Sequence, residues 1–436
     1  MRVVVFGLWH LGCVTAACVA AAGKEVVGLD PDATVVAALQ RGEPPLHEPG
    51  LPALIAEGVA AGRLSFTSDA QRALAGADVL WVTFDTPVNE RDEADVGAVR
   101  ARLESIRSAI QPGTLVLVSS QVPVGFTRAL ARDWLALGVR CAYSPENLRL
   151  GRAIAAFREP ERVIAGVMES ADRERLEQLF APYAKTVEWM SIESAEMTKH
   201  AIYAFLATSV SFINELARLC ERVGADAREV ERGLKSEGRI GPRAYLSPGP
   251  AFAGGTLARD LRFLAGFGQQ LGVATPLCNG VLASNESHKG WLRTRVSELL
   301  EGRAEPVVAV LGLTYKPGTS TLRRSTSLEL CQWLQQRKVR VQAHDPVIAA
   351  DNPELRGLAA VYSTPAQALA GADLAIVATE WPEFRALTPQ DFTSQMRAPR
   401  VLDQAWFLAQ ALEHAPGVRY YAPGRGEPIE SGAAVR

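Results

Sequence analysis

The sequence carries little net charge and few cysteines, and both absences exclude whole classes of protein. Its 46 Lys and Arg residues nearly balance 48 Asp and Glu residues, which leaves a net charge of -2. A chain without a charge excess gives no reason to expect nucleic acid or a membrane surface as a partner. The 6 cysteines are scattered, without a CxxC pair or metal-ligand spacing. We therefore expect reduced thiols, a cytoplasmic protein and no bound metal.

Long apolar runs are also missing. No stretch reaches the roughly 20 apolar residues that span a bilayer, so we expect no transmembrane helix. The apolar start, residues 1–22, has some character of a signal peptide, but Gly7, His10 and Gly12 interrupt it. We interpret it as strand, turn and helix instead. With 436 residues, the chain is long enough for two or three domains.

Residues 192–223 contain neither proline nor glycine, and their composition predicts one long helix. Glu193 near the start and Arg222 near the end suit the helix dipole, and Gly224 follows as a stop signal. The helix would run roughly 45 Å. Because residues 201–207 are apolar without interruption, we expect this part to be buried on all sides. Such a helix suits a spine between two domains or subunits, and the alternative is a core helix of an all-helical domain.

The N-terminus has the order of a dinucleotide-binding unit. A β-branched run at residues 2–6 precedes a glycine turn, a helix of small residues and a second strand at residues 25–29. The free N–H groups at such a helix start bind a pyrophosphate, and an acidic residue about 20 residues on binds the ribose hydroxyls of NAD. The cofactor-binding residues predicted from this pattern are Gly7, Trp9, His10, Leu11, Gly12 and Asp30.

The middle glycine of the GxGxxG fingerprint is missing, because Trp9 stands in its place. That glycine lets the backbone approach the pyrophosphate, so an indole there must either swing away or fill the site. His10 has two interpretations, as a solvated loop residue or as a contact to a phosphate. The pattern still predicts a Rossmann-type fold with NAD as its cofactor.

Three sequence patterns of this N-terminal unit are repeated near the C-terminus. Residues 308–313 repeat the pattern of residues 3–8, and residues 339–345 repeat the second strand with its acidic end. Residues 368–373 repeat the sequence found at residues 73–78. Chance recurrence is the alternative, but three matches in one order favour two doubly wound domains on either side of the long helix.

Ordered motifs along nearly the whole chain resemble those of the UDP-glucose/GDP-mannose dehydrogenase family. Besides the glycine turn, they are GEPPLHEPGL (42–51), SSQVPVGFT (119–127), SPENLRLG (144–151), ERVIAG (161–166), AEMTKHAIYAFLATSVSFINE (195–215), PGPAFAGGTLARDL (248–261), GLTYKPGT (312–319) and HDP (344–346). On these matches the chain is identified as a member of that family.

The resemblance implies an N-terminal NAD domain, a central helical dimer region and a C-terminal domain that binds the nucleotide of a nucleotide sugar. We therefore expect an α/β fold of two Rossmann-like doubly wound domains, joined by a long central helix and a helical dimerisation region. The expected bounds are residues 1–190, 191–300 and 301–436. Enzymes of this family oxidise a sugar C6 alcohol twice, to the acid, with two NAD.

These two oxidations need different groups. A cation stabilises the alkoxide while hydride leaves to NAD, and a thiolate then attacks the aldehyde, because a thiohemiacetal can give up a second hydride. By resemblance, Lys199 is the cation, Asp260 the catalytic aspartate and Glu146 the glutamate of the thioester step. The resemblance also implies cofactor contacts from Thr86, Gln121 and Arg323, and substrate contacts from Glu146, Leu148, Lys199, Tyr245, Gly254 and Lys316.

The chain departs from the family pattern at positions that align with the family's catalytic and cofactor-binding residues. The catalytic cysteine aligns with Thr256, the asparagine one turn after the lysine is Tyr203, and the threonine of the Ser-Thr-Val-Pro turn is Gln121. An aromatic residue of the Pro-Glu-Phe-Leu pattern is Asn147. A threonine hydroxyl is far less ionised than a thiol near pH 7, so Thr256 is a poor thioester former. Cys141 is the nearest candidate replacement, but it fits better as a packed strand residue.

Each candidate also has a purely structural interpretation. Lys199 can be a helix residue whose ammonium reaches water along the surface. Glu146 can cap a surface turn, and Asp260 can cap a helix that starts near Leu261. Tyr203 suits core packing as well as an acid–base role.

Two functions stay open at this point. The first is a cytoplasmic, homodimeric NAD-dependent oxidoreductase of a UDP- or related nucleotide sugar, limited by the missing thiol to one alcohol oxidation with Lys199. The second is a non-catalytic member that binds a nucleotide or nucleotide sugar and regulates or scaffolds a partner. Trp9 and Thr256 motivate the second, since fold alone does not establish function.

Overall fold

A computed structural model of the chain describes residues 1–87, 95–146, 148, 150–252, 257–322 and 325–425. The chain divides into two compact units, Met1–Ile202 and Tyr203–Arg436. One helix, Ile192–Val223, runs from the first unit into the second. The division into three domains at the expected bounds stays a prediction.

The first unit is built on an eight-stranded sheet. Its strands are β1 (Arg2–Phe6), β2 (Glu25–Leu29), β3 (Leu64–Thr67), β4 (Val79–Val82), β5 (Leu115–Val118), β6 (Arg140–Tyr143), β7 (Val163–Gly166) and β8 (Val187–Met190). They lie in the order β3-β2-β1-β4-β5-β6-β7-β8, and neighbours are parallel except for β6 and β7. The winding reverses between β1 and β4, which is where ligands bind in doubly wound sheets.

Helices cover both faces of this sheet. They are α1 (His10–Ala21), α2 (Ala33–Gln40), α3 (Leu51–Ala60), α4 (Ala70–Leu74), α5 (Val96–Ile106), α6 (Phe126–Asp133), α7 (Ala153–Arg158), α8 (Ser170–Phe180) and α9 (Ile192–Val223), with short 3-10 turns at Arg107–Ala109 and Leu135–Leu137. Strands β4 and β5 are buried at every residue. Burial from two faces explains why the sequences of these strands are apolar runs without alternation.

The second unit begins with helices and ends with a six-stranded parallel sheet. Its elements are α10 (Ala227–Ser236), α11 (Leu257–Leu271), α12 (Pro276–Leu300), β9 (Val307–Leu311), α13 (Thr326–Gln336), β10 (Arg340–His344), β11 (Ala360–Val361), α14 (Pro365–Leu369), β12 (Leu374–Val377), α15 (Pro389–Gln395), β13 (Arg400–Asp403), α16 (Ala409–Leu412) and β14 (Arg419–Tyr421), with 3-10 turns at Pro353–Leu355 and Pro382–Ala386. The strand order is β11-β10-β9-β12-β13-β14. The winding again reverses next to the first strand, so the prediction of two Rossmann-like domains is confirmed.

The repeated sequence patterns place an aspartate at the same structural position in both units, where it accepts a hydrogen bond from the first residue of a strand. Asp78 accepts a hydrogen bond from the backbone N–H of Arg2 at 2.7 Å, where β1 begins. Asp373, at the matching place in the repeat, accepts from the N–H of Val307 at 3.0 Å, where β9 begins. Each aspartate therefore satisfies a strand-end donor and fixes the loop before the next strand.

The glycine turn after β1 is tight enough to require two of its glycines. Gly7 has a φ of 103°, which favours glycine, and a Cβ on it would come within 2.5 Å of the Phe84 ring. A Cβ on Gly12 would lie 1.8 Å from the carbonyl oxygen of Gly7. The helix can therefore start close behind the strand only if residue 12 has no side chain.

The long helix has the predicted bounds. Within a single chain, residues 201–207 are not buried on all sides, and their burial between two subunits stays a prediction. Ala207 is fully buried, whereas the Phe205 side chain is 72% exposed. The run is continuous in sequence, yet only part of its circumference meets other residues of the described chain. Among the described helices, none combines the length and the low charge that a crossing of a bilayer requires.

We expect Gly12→Ala to lower the free energy of unfolding by roughly 3 kcal/mol, because overpacking against backbone costs that much when the chain has to shift. Gly97→Ala in α5 is the matched control, because its Cβ would meet only the Asp95 carboxylate, at 3.2 Å. Such a change in a helix should alter stability by less than about 1 kcal/mol. Urea unfolding of the full chain measures both, and equal midpoints would contradict the tight turn.

Candidate active site

Helix α1 starts at the end of β1, where the sequence predicts a dinucleotide phosphate. Trp9 is the N-cap residue, and among the described residues no side chain caps this helix start. Its first N–H groups can therefore receive an anion. The Trp9 backbone is extended, with a φ of -87°, so the missing glycine causes no strain there. Trp9 is 45% exposed, so its indole is not buried in the core.

Asp30 ends β2 beside this turn. One carboxylate oxygen accepts from the N–H of Leu8 at 2.7 Å and the other from the N–H of Asp32 at 3.0 Å. The side chain stays half-buried, and each oxygen has a further lone pair for a ribose hydroxyl. Gly12 lets the helix start lie close to the glycine turn, and the Asp30 carboxylate lies beside it. Both features suit the binding of NAD, whose nicotinamide would accept the hydride when bound.

His10 is the first residue of α1 and does not lie free in solvent. Its Nε2 lies 2.9 Å from a carboxylate oxygen of Glu48, which is 1% exposed. Glu48 also accepts from the N–H groups of Gly151 at 2.7 Å and Ala153 at 2.8 Å. Burial alone would raise the pKa of Glu48, but these hydrogen bonds outweigh burial and hold the pKa below its ordinary value.

Two further predicted cofactor residues follow β4 and β5 at the same edge of the sheet. The Thr86 hydroxyl donates to the carbonyl oxygen of Gln121 at 2.5 Å. The buried Thr83 hydroxyl donates to the carbonyl of Gly7 at 2.9 Å, which ties the end of β4 to the glycine turn. The carboxyl ends of neighbouring parallel strands thus bring Thr86 and Gln121 next to the turn, as the fold requires.

The structure brings Glu146 and Lys199 together at the end of β6. Lys199 on α9 is 4% exposed, so its ammonium does not reach water along the surface. Its Nζ donates to the carbonyl oxygen of Glu146 and lies 3.9 Å from the Glu146 carboxylate. That carboxylate also accepts from the N–H of Leu148 at 2.6 Å. Glu146 therefore both caps a local turn and faces the buried cation.

Two residues that the sequence reasoning missed hold α9 against the loop that carries Gln121. The buried Glu196 carboxylate accepts from the N–H groups of Gly125 at 2.6 Å and Thr127 at 2.9 Å, at the start of α6. His200 Nε2 lies 3.1 Å from the carbonyl oxygen of Val122. Burial raises the pKa of Glu196. Both residues lie inside a motif that carried the resemblance, one turn or less from Lys199, and that proximity was the available signal.

In the second unit, three buried polar side chains hold the segment at residues 247–252. Asn214 accepts from the N–H of Gly249 at 3.0 Å, and His288 Nε2 lies 2.9 Å from the Gly249 carbonyl. Asn285 bonds both the N–H and the carbonyl of Phe252, at 2.9 and 3.0 Å. A proline-rich segment without regular structure needs such partners to be buried. It leads to Gly254 and Thr256, which lie outside the described residues, as do Asn147 and Arg323.

The other predicted residues of the second unit have different exposures. Asp260 is fully buried in the first turn of α11. That helix begins at Leu257, so the expectation of a helix start near Leu261 capped by Asp260 is wrong, because the helix already includes it. Tyr203 and Lys316 are half-buried, and Tyr245 is 59% exposed. The site roles of these residues stay predictions.

All six cysteines lie in the described part of the chain, and burial raises the pKa of each thiol. The pKa is about 11 for Cys18 and about 12 for Cys13, Cys141 and Cys331, and it is also raised for Cys220 and Cys278. Cys141 lies in β6 and is fully buried, as expected. A thiol needs a lowered pKa to act as a nucleophile near neutral pH. These six thiols therefore lack the property that a thioester step requires.

Most of the chain matches one family of enzymes. Residues 1–184 match the NAD binding domain of the UDP-glucose/GDP-mannose dehydrogenase family, residues 193–287 match its central domain, and residues 309–410 match its UDP binding domain. The UDP-glucose 6-dehydrogenase of Pseudomonas aeruginosa is 37% identical, with 98% of each chain covered. That of Rhizobium meliloti is 34% identical over 98% of this chain and 100% of its own.

Solved structures give the same result. A UDP-glucose dehydrogenase from the hyperthermophilic archaeon Pyrobaculum islandicum is 29% identical, with a TM-score of 0.84 and 98% of each chain covered. The UDP-N-acetyl-mannosamine dehydrogenase Cap5O from Staphylococcus aureus, at 22% identity and a TM-score of 0.79, shares the fold over 97% of this chain and 98% of its own. On these matches the chain belongs to the UDP-glucose/GDP-mannose dehydrogenase family and is an NAD-dependent dehydrogenase of nucleotide sugars.

Proposed function

We propose that this dehydrogenase oxidises the C6 alcohol of a UDP-sugar once, to the aldehyde, and does not continue to the acid. The observation that carries the proposal is the combination of a buried lysine beside a carboxylate with six thiols whose pKa values are all raised. UDP is proposed because residues 309–410 match a UDP binding domain and the relatives above are named for UDP-glucose.

The first oxidation needs a cation at the reacting oxygen and a base for its proton. In the proposed step the C6–H bond breaks and its electron pair leaves as hydride, which NAD held at the start of α1 would accept when bound. The hydroxyl proton passes to the Glu146 carboxylate, and the Lys199 ammonium stabilises the oxygen as charge develops on it. Charge stabilisation of this kind contributes most in a site that excludes water, and Lys199 is 4% exposed.

The second oxidation in the family scheme starts from a covalent adduct of a thiolate with the aldehyde. A thiol with a pKa of about 12, such as that of Cys141, is ionised to roughly 0.001% at pH 7. Thr256 at the family's cysteine position carries a hydroxyl, which ionises far less than a thiol. The six thiols, all in the described part of the chain, are poorly suited to that attack, which supports release of the aldehyde as product.

The proposal includes a homodimer formed through α9. Phe205 is 72% exposed, Phe212 47%, Leu219 61% and Val223 51%. The first three are seven residues apart, so all four lie along one face of the helix. Several large exposed apolar side chains in a stripe along one helix face are typical of an interface on a folded protein. A second copy of α9, which carries the same stripe, is the occupant we propose. The six cysteines form no disulfide, which supports a cytoplasmic location.

We expect wild-type protein to form one NADH per UDP-glucose consumed, with the 6-aldehyde as product. Lys199 and Glu146 supply the groups for the first oxidation, whereas the second needs a thiolate. Absorbance at 340 nm and mass spectrometry of the sugar product measure this. Thr256→Ala should leave the ratio unchanged, and Lys199→Met should lower kcat about 100-fold or more. Two NADH and a uronic acid from wild type and Thr256→Ala alike would contradict the single oxidation. No NADH from any of a panel of UDP-, GDP-, TDP- and CDP-sugars would favour the binding protein instead.

We expect the native thiols to react slowly with a disulfide reagent at pH 8, because raised pKa values leave little thiolate. Cys278, the cysteine that is only partly buried, should account for the first reaction. Cys278→Ser is the matched control, and all six thiols should react in guanidinium. A thiol that reacts fast in native protein, with a rate midpoint below pH 7, would contradict the assignment.

We expect light scattering on a sizing column to give twice the chain mass, and the double variant Phe212→Glu, Leu219→Glu to give a folded monomer. Two carboxylates on the apolar stripe would be buried without partners in the dimer. Glu57→Gln, at an exposed position of α3 in the first unit, is the control and should stay dimeric. A monomeric wild type, or a double variant that stays dimeric, would contradict this interface.

A further inference from the structure

Glu48 joins two parts of the first unit that are far apart in sequence. One of its oxygens meets His10 at the start of α1, 38 residues away, and the Gly151 N–H, 103 residues away. Its other oxygen meets the N–H of Ala153. Residues 151–153 close the segment that begins with Ser144 and includes Glu146. A single buried carboxylate therefore contacts both the dinucleotide turn and the segment that holds a predicted catalytic residue.

The carboxylate of Glu48 is ionised at neutral pH, because its pKa is held below the ordinary value. An ionised carboxylate only accepts hydrogen bonds, so the His10 Nε2 that faces it carries a proton. The ring has a second nitrogen, Nδ1, which can take part in another hydrogen bond at the start of α1.

The geometry points to His10 and Glu48 as positioning residues that couple NAD binding to the segment carrying Glu146. The inference rests on the NAD site at the start of α1 and on the proposed role of Glu146. A dinucleotide at the start of α1 would restrict the His10 ring, because His10 is the first residue of that helix and faces Glu48 at 2.9 Å. A restricted ring keeps its hydrogen bond to Glu48 for more of the time, which strengthens the link.

Strengthening that bond fixes the carboxylate, and with it the two N–H groups that the carboxylate also holds. At the other end of the segment, the carbonyl oxygen of Glu146 accepts a hydrogen bond from the Lys199 ammonium, which also lies 3.9 Å from the Glu146 carboxylate. The segment is thus held at one end by the cation and at the other by Glu48. NAD at the turn would strengthen the contacts between Glu48 and residues 151–153. Glu146 would then be held in position beside Lys199 when the hydride acceptor is present.

A static role is the competing explanation, in which Glu48 only satisfies the two N–H groups at the start of α7. That role predicts the same exchange at Gly151 and Ala153 with and without cofactor. The coupled role predicts a difference that depends on the His10 donor. The two roles therefore separate in a measurement that requires no turnover.

The experiment is hydrogen exchange of the full chain, read by mass spectrometry with and without saturating NAD. In wild type we expect NAD to slow exchange of the Gly151 and Ala153 amides about fivefold or more, the size of ordinary coupling between sites. His10→Gln keeps an N–H donor toward Glu48 and should retain part of this response. His10→Leu removes the donor and should lose the response at residues 151–153, while residues 7–13 remain protected by NAD.

Two results would overturn the inference. Protection by NAD at residues 7–13 of wild type without any change at residues 151–153 would show that the turn binds cofactor and is not coupled. An undiminished response in His10→Leu would show that coupling takes another route. Absence of NAD protection at both places in wild type would reject the cofactor site itself together with the inference. As a second readout, the His10→Leu loss should appear mainly in kcat, whereas a turn that merely binds NAD poorly would change its KM.

Discussion

A lysine ammonium inside the protein sets the condition that the rest of the first unit meets. Removing such a charge from water is costly unless acceptors and an opposite charge lie close by. Glu146 supplies both to Lys199. Its own position follows from the end of β6 and from the hydrogen bond that its carboxylate accepts from the N–H of Leu148. Glu196 and His200 hold α9 so that the ammonium arrives at this place. The site therefore depends on strand order as much as on the identity of its charged residues.

The two sheets use one turn design with different consequences for ligands. Asp30 accepts from Leu8 and Asp32 and stays half-buried. Asp345 at the matching place of the second sheet is 3% exposed, and its carboxylate also accepts from Thr314 and the Trp381 indole. The first carboxylate has capacity left for a ribose, whereas the second is used to hold its own turn. The same strand order thus gives a dinucleotide site in one unit and a braced turn in the other.

The sequence was sufficient for the fold because its signals are local or repeated. The bounds of the long helix followed from an uninterrupted run of helix formers, and the second sheet followed from phrases shared with the first. The exposure of Phe205 in a single chain could not be predicted this way, because an apolar run does not identify the residues that cover each side of the helix. The hydrogen bonds that Glu48 accepts from the N–H groups of Gly151 and Ala153 span more than a hundred residues. Every residue type except proline has a backbone N–H, so the sequence does not identify such partners. Asp260 was identified as a candidate, but the start of its helix at Leu257, four residues before Leu261, was not.

The raised pKa values of the six thiols have a consequence for chemical durability. Peroxide oxidises thiolates to sulfenic acid and beyond, and an enzyme that works through a thiolate is inactivated by that reaction. A dehydrogenase that runs on an ammonium and a carboxylate offers oxidants no such target. Under the proposed single oxidation, its rate would not depend on the redox state of its surroundings, and another catalyst would have to oxidise the aldehyde.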